Sequence, residues 1–140
     1  MKLITYITFP GHAREAMNFY KDCLGGELSI MEVGGSAIEE HLAEMKKDAI
    51  LHSQVVLGDF SLMGSDMIGP KGYSQGNNVT LMLLCDSEEQ INRNFASLSE
   101  GGTAVMPVAP AFWGGLYGHL IDKYGIEWGL HLPGEVCTTE

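Results

Sequence analysis

A pattern that occurs twice constrains the fold of this chain more than any other feature. It consists of a β-like run, an amphipathic helical segment that ends at a Gly-Gly pair, and then further β-like runs. Gly25-Gly26 ends the first helical segment and Gly101-Gly102 ends the second. Glycine favours the backbone conformations that stop a helix. This self-similarity predicts two copies of one βαβββ module in a single 140-residue domain.

The first module is predicted to span residues 1–66. Alternating, β-branched residues predict a strand at 3–9, and helical spacing of apolar residues predicts a helix at 12–24. Further strands are predicted at 28–33, 50–57 and 60–64. The predicted buried stripe of the helix comprises Ala13, Ala16, Met17, Tyr20 and Leu24.

Residues 34–48 interrupt the first module. Ser36 and Glu39 have the spacing of a capping box, and Ile38, Leu42 and Met45 recur at helical spacing. We therefore predict a short helix or a mobile lid.

The second module is predicted to span residues 78–132, after a linker at 67–77 that is rich in Gly, Ser, Asn and Pro and before a tail at 133–140. Strands are predicted at 79–84 and 103–108, and a hairpin at 117–121 and 126–130. Asp86 or Ser87 is predicted to cap a helix whose buried stripe is Ile91, Phe95 and Leu98.

The stretch 111–132 carries a specific resemblance. It resembles the C-terminal signature of the PhnB-like branch of the glyoxalase and bleomycin-resistance superfamily, also called vicinal oxygen chelate proteins, although Lys123 and Tyr124 replace the usual Pro and Phe. The matching residues are Phe112, Trp113, Gly114, Gly118, Asp122, Gly125 and Trp128. Similar matches occur at Ala13, Ala16, Phe19 and Tyr20 in the first helix and at His52, Val55, Leu62, Met63, Ser65 and Asp66.

The resemblance implies an α+β fold in which two βαβββ modules form an incompletely closed β-barrel around a ligand cavity. It further implies a bacterial homodimer that binds a small organic molecule. Under this interpretation, strand alternation places one set of side chains towards the cavity. These predicted ligand-binding residues are Tyr6, Thr8, His52, Gln54, Met63, Ser65, Trp113, Tyr117 and His119. Trp113 fits a core position equally well, and Trp128 fits one better.

Enzymes of the superfamily usually bind a divalent metal, but the matching positions here lack strong ligands. Gly129 stands where the resemblance implies a carboxylate, and the first-strand position falls near Ile4 or Thr5. We therefore predict no metal cofactor. An alternative is a different divalent site built from His52, His119 and Glu127, since imidazole and carboxylate suit several transition metals.

The simpler interpretation of the histidines involves no metal. His52 is then a hydrogen-bonded residue inside the barrel, His119 lines the cavity, and His131 is a solvent-side residue near a strand end. His12 and His41 are predicted to lie on the surface.

Net charge limits the classes of partner expected for this chain, and its cysteines limit the expected site chemistry. The net charge of −10 disfavours nucleic acid and anionic membranes. No apolar run approaches spanning length, and the first residues lack a signal-peptide core, so we expect a cytoplasmic protein. Of three cysteines, Cys23 and Cys85 are predicted to be buried fillers and Cys137 an exposed tail residue; none is predicted to be catalytic.

Three functions remain open at this point. The first is a small-molecule-binding protein without the usual metal site, with an aromatic or cationic compound as one ligand class. The second is a metal-dependent lyase, isomerase or dioxygenase acting on a vicinal-oxygen substrate. The third is a structural or regulatory protein whose cavity is filled by its own side chains. A methyltransferase is not predicted, because the chain has no glycine-rich cofactor-binding βαβ unit.

Overall fold

The computed structural model describes residues 1–134. They form two compact units, Met1–Ser74 and a second unit that begins at Gln75. No helix among the described residues has the length and apolar character needed to cross a membrane.

The first unit is one four-stranded sheet with one α-helix on one face. Its strands are β1 (Thr5–Thr8), β2 (Glu27–Glu32), β3 (Ile50–Leu57) and β4 (Phe60–Ser65), and its helix is α1 (Ala13–Leu24). The sheet order is β1-β4-β3-β2. β1 runs parallel to β4, and the other two pairs are antiparallel.

The second unit repeats this plan. Its strands are β5 (Thr80–Leu84), β6 (Thr103–Pro110), β7 (Leu116–Ile121) and β8 (Glu127–Leu132), and its helix is α2 (Glu88–Ser99). The order β5-β8-β7-β6 has the same parallel and antiparallel pairs. The βαβββ prediction is therefore confirmed in both units.

Each helix buries its apolar stripe against one sheet face. The fully buried residues of α1 are Ala13, Ala16, Met17 and Tyr20, while Leu24 is only half-buried. In the second unit the α2 stripe is Ile91, Phe95 and Leu98, as predicted, together with Asn94. Trp128 is 1% exposed, which confirms its core role. Burial of a large apolar side chain stabilises a fold by about 1.5–3 kcal/mol.

A glycine after each helix allows close backbone contact with the sheet. A Cβ at Gly26 would overlap the Val56 carbonyl oxygen, and a Cβ at Gly102 would overlap the Ile121 carbonyl oxygen. Any larger residue must therefore move backbone. The Gly-Gly pairs thus stop the helices and also set how closely the next strand approaches.

The insertion in the first unit contains the predicted short helix but not the predicted capping box. Its only regular element among the described residues is a short 3-10 helix, Glu39–Leu42. The Ser36 hydroxyl donates to the Val33 carbonyl oxygen instead of capping the helix, and the Glu39 carboxylate accepts from the Gly35 N–H. The predicted capping box is therefore wrong, because both side chains bind the preceding turn.

A buried aspartate stabilises each unit at a different place. Asp66, directly after β4, accepts hydrogen bonds from the Ala13 and Ile50 N–H groups, at 2.9 Å each. It therefore ties the start of α1 to the start of β3. His12 at the helix N-cap makes no capping hydrogen bond with its side chain.

Asp122 lies in the β7–β8 turn and is 3% exposed. Its carboxylate accepts from the Tyr124 and Ile126 N–H groups at 2.8 and 3.0 Å, and from the Trp128 indole at 2.9 Å. The turn and the core tryptophan therefore share one carboxylate. α2 is capped separately, by Ser87, whose hydroxyl accepts from the Gln90 N–H.

Candidate functional site

The side chains of the first sheet divide into two sets. One set faces α1, where a Cβ at Gly64 would touch Met17 and Phe9. The register places Tyr6, Met63 and Gln54 side by side on the opposite face, which we call the first-unit face. The other members of this face are Thr8, Glu27, Ser29, Met31, His52, Val56, Ser61 and Ser65.

Two polar pairs organise the first-unit face. Tyr6 stacks on His52 with ring centroids 5.8 Å apart, and its hydroxyl lies 3.4 Å from His52 Nδ1. Gln54 Nε2 donates to the Ser61 hydroxyl at 2.9 Å. Tyr6 is 49% exposed, so one side of its ring is available for contact.

Three other predicted residues of this face differ in accessibility. Thr8 and Met63 are half-buried. Ser65 is 1% exposed, and its hydroxyl accepts from the Met67 N–H at 3.2 Å. The Ser65 hydroxyl is therefore used inside the unit and offers no contact for a ligand.

The second sheet is divided in the same way. A Cβ at Gly118 would touch Phe95 of α2, so Gly118 and the residues two positions before and after it in β7 face the helix. The opposite side, which we call the second-unit face, carries Tyr117 and His119 of β7 beside Glu127, Gly129 and His131 of β8. Thr80, Met82 and Leu84 of β5 continue it.

Trp113 precedes β7 and packs against this face through its edges. Its ring centroid lies 5.5 Å from that of Tyr117 and 6.1 Å from that of His131, both in edge-type arrangements. Its indole N–H donates to His131 Nε2 at 3.1 Å. Trp113 is nevertheless 54% exposed, so it is not a core residue. Phe112, 97% exposed, packs edge-on against it at 4.6 Å.

A polar chain lies beside these rings. His119 Nδ1 is 3.5 Å from the Tyr117 hydroxyl, and His119 Nε2 is 3.7 Å from the Glu127 carboxylate. The His119 and Glu127 side chains are each about one-fifth exposed. The second-unit face therefore combines aromatic surface with a hydroxyl, an imidazole and a carboxylate.

Gly129 lies under this cluster, and the space above it is filled. A Cβ there would come within 2.9 Å of both the Tyr117 hydroxyl oxygen and Met82 Cε. A carboxylate ligand at position 129, which the superfamily resemblance implies, would therefore require the ends of the Tyr117 and Met82 side chains to shift.

The alternative metal ligands are distributed over both units. His52 lies on the first-unit face, whereas His119 and Glu127 pair on the second-unit face. Residues 1–134 contain no group of three or more His, Cys, Asp or Glu side chains arranged to hold a metal ion.

The two described cysteines are free thiols in different surroundings. Cys85 is 4% exposed, and burial, together with the nearby Asp86 charge, raises the pKa of its thiol. A thiol with a raised pKa is a poor nucleophile at neutral pH. Cys23 is half-buried, so the prediction of a fully buried filler is wrong for it. The prediction for Cys137 lies outside the described residues.

A separate cleft of about 730 Å³ lies in the first unit, beside the start of α1. None of the predicted site residues lines it. Two of its charged groups are already paired: Arg14 binds the Glu32 carboxylate and the Asp48 carbonyl oxygen, both at 3.1 Å, and Asp66 binds two backbone N–H groups. The cleft is therefore a weaker candidate site than either sheet face.

Sequence reasoning missed the role of His131. The sequence predicts a solvent-side residue, but His131 is half-buried and accepts the Trp113 N–H. The alternation that placed Glu127 and Gly129 on one face also placed His131 there. Met82 was missed for another reason, because its position follows from the pairing of β5 with β8.

Comparison with known proteins gives consistent matches over almost the whole chain. A family model described as 3-demethylubiquinone-9 3-methyltransferase matches residues 1–131. Protein YjdN of Escherichia coli (strain K12) is 28% identical over 141 residues, which cover 94% of this chain and 95% of that protein.

Solved structures agree with these matches. Protein PA1353 from Pseudomonas aeruginosa has a TM-score of 0.82 at 32% identity, covering 96% of this chain and 99% of that chain. A Bacillus cereus PhnB protein, titled a putative 3-demethylubiquinone-9 3-methyltransferase, has a TM-score of 0.74 at 27% identity, with coverages of 94% and 99%.

A more distant structure identifies the fold. A glyoxalase/bleomycin resistance protein from Albidiferax ferrireducens T118 has a TM-score of 0.61 at 16% identity, covering 91% of this chain and 95% of that chain. The fold class expected from the sequence, that of glyoxalase/bleomycin-resistance proteins, is thereby confirmed.

Proposed function

The chain belongs to the PhnB-like family described as 3-demethylubiquinone-9 3-methyltransferase, and from that premise we propose that it binds a small organic molecule on the second-unit face. The observation that carries the proposal is Trp113, whose ring is held by a hydrogen bond while half of its surface stays exposed. Ordering an aromatic ring before the ligand arrives lowers the entropic cost of binding.

The arrangement of rings supports an apolar, ring-containing ligand. Trp113 contacts Tyr117, His131 and Phe112 through ring edges, which restrains its orientation. Small-molecule sites are commonly lined by aromatic side chains with a few polar groups that fix orientation. In this proposal Tyr117, His119 and Glu127 are those polar groups.

Within the first unit, the first-unit face is proposed as a separate surface for ligand contact. Tyr6, Thr8, His52, Gln54 and Met63 stay in the proposal, because each retains an accessible surface. Ser65 is removed from it, since its hydroxyl is buried and already accepts the Met67 N–H.

Tryptophan fluorescence tests the proposal directly, because only one of the two tryptophans is accessible. Trp113 is 54% exposed and Trp128 is 1% exposed. We would titrate the protein with a panel of aromatic acids, aromatic amines and dicarbonyls. S-adenosylmethionine would be included because the family description names a methyltransferase. Saturable quenching by at least one compound is the expected result.

The matched control is Trp113→Phe, which keeps an aromatic ring but removes the reporter and the N–H donor. Calorimetry on the same compound would show weaker binding to this variant. The proposal fails if no compound gives saturable quenching, or if the variant is quenched as strongly as the native protein.

The second candidate function is metal-dependent catalysis on a vicinal-oxygen substrate, and the pairing of His119 with Glu127 favours it. Two adjacent donors can start a divalent site. Metal analysis of protein repleted with zinc, nickel or iron would distinguish the two functions. Stoichiometric metal that is lost in His119→Ala would establish this second candidate; our first proposal expects none.

We also propose that the protein is a cytoplasmic homodimer. β6 is an edge strand of its sheet, and its Val105 and Met106 side chains are 48% and 55% exposed. Light scattering after size exclusion would give twice the mass of one chain if the proposal is correct. A single-chain mass at micromolar concentration would contradict it.

A further inference from the structure

The hydrogen bond between Trp113 and His131 depends on the protonation state of the imidazole. The indole N–H can only donate, so His131 Nε2 must offer a lone pair at their 3.1 Å separation. A neutral imidazole that carries its proton on Nδ1 can do this. A protonated imidazole has two N–H donors and no acceptor.

Protonation would therefore place two N–H groups opposite each other at this contact. Their dipoles repel, and the hydrogen bond is lost. Trp113 would then keep only edge contacts with Tyr117, His131 and Phe112. Those contacts restrain a ring less specifically than a directional bond does.

Few other titratable groups share the face around His131. β7 presents Tyr117 and His119, and β8 itself presents Glu127. β5 presents Thr80, Met82 and Leu84, none of which titrates, and no residue of β6 has a titratable side chain. The connection from β6 to β7, residues 111–115, contains none either. His119 and His131 are thus the imidazoles on this face.

We propose that His131 is a positioning residue that holds Trp113 in place only while its imidazole is neutral, which makes ligand binding on the second-unit face dependent on pH. This inference rests on the proposed function. The ordered Trp113 is present while the imidazole is neutral and is lost when the imidazole is protonated. Imidazoles ordinarily change charge between about pH 5 and 8.

The first test uses the protein without any ligand. Tryptophan emission and its quenching by acrylamide would be measured from about pH 5.5 to about pH 8.5, across the range in which imidazole titrates. Circular dichroism would confirm folding at each point. We expect a one-proton transition in which Trp113 becomes more accessible at low pH.

Three variants assign the transition. In His131→Gln the amide oxygen accepts the indole N–H at every pH, so the high-pH spectrum should persist and the transition should disappear. Trp113→Phe should also abolish it. His119→Gln should leave it in place, because His119 does not bind the indole. A transition that persists in His131→Gln, or one that disappears only in His119→Gln, overturns the proposal.

The second test measures binding of a quenching compound found with the panel. Its Kd should rise about fivefold between high and low pH in the native protein, the change expected for one neutral hydrogen bond. It should stay constant in His131→Gln. A Kd that is equal at both pH values in the native protein overturns the proposal. A ligand-free transition with no compound bound would support the His131–Trp113 switch and overturn the proposed function instead.

Discussion

The two units share a backbone plan but present different chemistry on the sheet faces that lie opposite their helices. In the first unit the register places Tyr6, Met63 and Gln54 in one row. The corresponding row of the second unit is Met82, Gly129 and His119. The first-unit face thus carries the Tyr6–His52 and Gln54–Ser61 pairs, whereas the second-unit face carries the exposed Trp113 and the His119–Glu127 pair.

Equivalent backbone contacts explain why both units keep the same strand arrangement although their face residues differ. The Phe9 N–H donates to the Ser65 carbonyl oxygen at 2.8 Å, and the matching Cys85 N–H donates to the His131 carbonyl oxygen at 2.7 Å. Gly26 and Gly102 make the same close approach to the next strands. Register therefore depends on main-chain groups and glycine, and the face residues are free to vary.

The largest expected effect concerns the glycine contacts that both units share. Gly26→Ala and Gly102→Ala should each lower the free energy of unfolding by about 3 kcal/mol, because the new Cβ overlaps a carbonyl oxygen that only backbone movement can clear. Urea unfolding followed by circular dichroism measures the loss.

The control for these variants is Gly69→Ala, where a Cβ meets no atom within 4 Å. It should change stability by less than about 0.5 kcal/mol. If Gly26→Ala lowers the free energy of unfolding strongly and Gly102→Ala does not change it, the two units do not depend on the same contact. The comparison between the units would then be wrong.

The buried aspartates should give the next largest effect. Asp122→Asn and Asp66→Asn each turn an acceptor into an amide whose NH₂ group faces a donor, so each should cost about 2–3 kcal/mol. Differential scanning calorimetry measures the change.

A matched control lies in the equivalent hairpin turn of the first unit. Asp59 is exposed in the β3–β4 turn, so Asp59→Asn should be neutral within about 0.5 kcal/mol. Equal losses at Asp59 and Asp122 would mean that general charge, and not the three local hydrogen bonds, explains the effect.

Helix capping differs between the two units, and its expected effect on stability is smaller. Ser87→Ala should cost about 1 kcal/mol, because the Gln90 N–H loses its partner at the start of α2. Ser99→Ala, at the other end of the same helix, should have less effect. Thermal unfolding of the two variants measures both losses of stability. A larger loss in Ser99→Ala than in Ser87→Ala would show that the Ser87 cap does not stabilise α2.

The smallest expected effect concerns the Tyr–His pairs of the two faces. Tyr6→Phe removes an exposed hydroxyl 3.4 Å from His52 and should change stability by less than about 0.5 kcal/mol. Tyr117→Phe, by contrast, should weaken compound binding measured by calorimetry. If Tyr6→Phe weakened binding and Tyr117→Phe did not, the assignment of the ligand to the second-unit face would be reversed.

Much of the fold could be predicted because its signals are local. The helical spacing of Ala13, Ala16, Met17 and Tyr20 and the Gly-Gly stops predicted both the helices and their buried sides. The capping of the short helix in the insertion at 34–48 could not be predicted, because the Ser36 hydroxyl binds the Val33 carbonyl oxygen and local spacing does not reveal that contact.

For the candidate site, the sequence predicted only which side chains share a face of each strand. Alternation grouped Tyr117 with His119 and Glu127 with Gly129 and His131. It could not supply the bond from Trp113 to His131 or the approach of Met82 to Gly129, since both depend on residues distant in the chain. These two contacts distinguish the proposed ligand face from an ordinary strand surface.

The packing over Gly129 links a chelating carboxylate at this position to its two neighbours. A side chain at position 129 would meet the ends of the Tyr117 and Met82 side chains as they now stand. Smaller residues at positions 117 and 82 would open room for the new ligand. Laboratory evolution towards a metalloenzyme should consequently recover changes at those two neighbours together with an acidic residue at position 129.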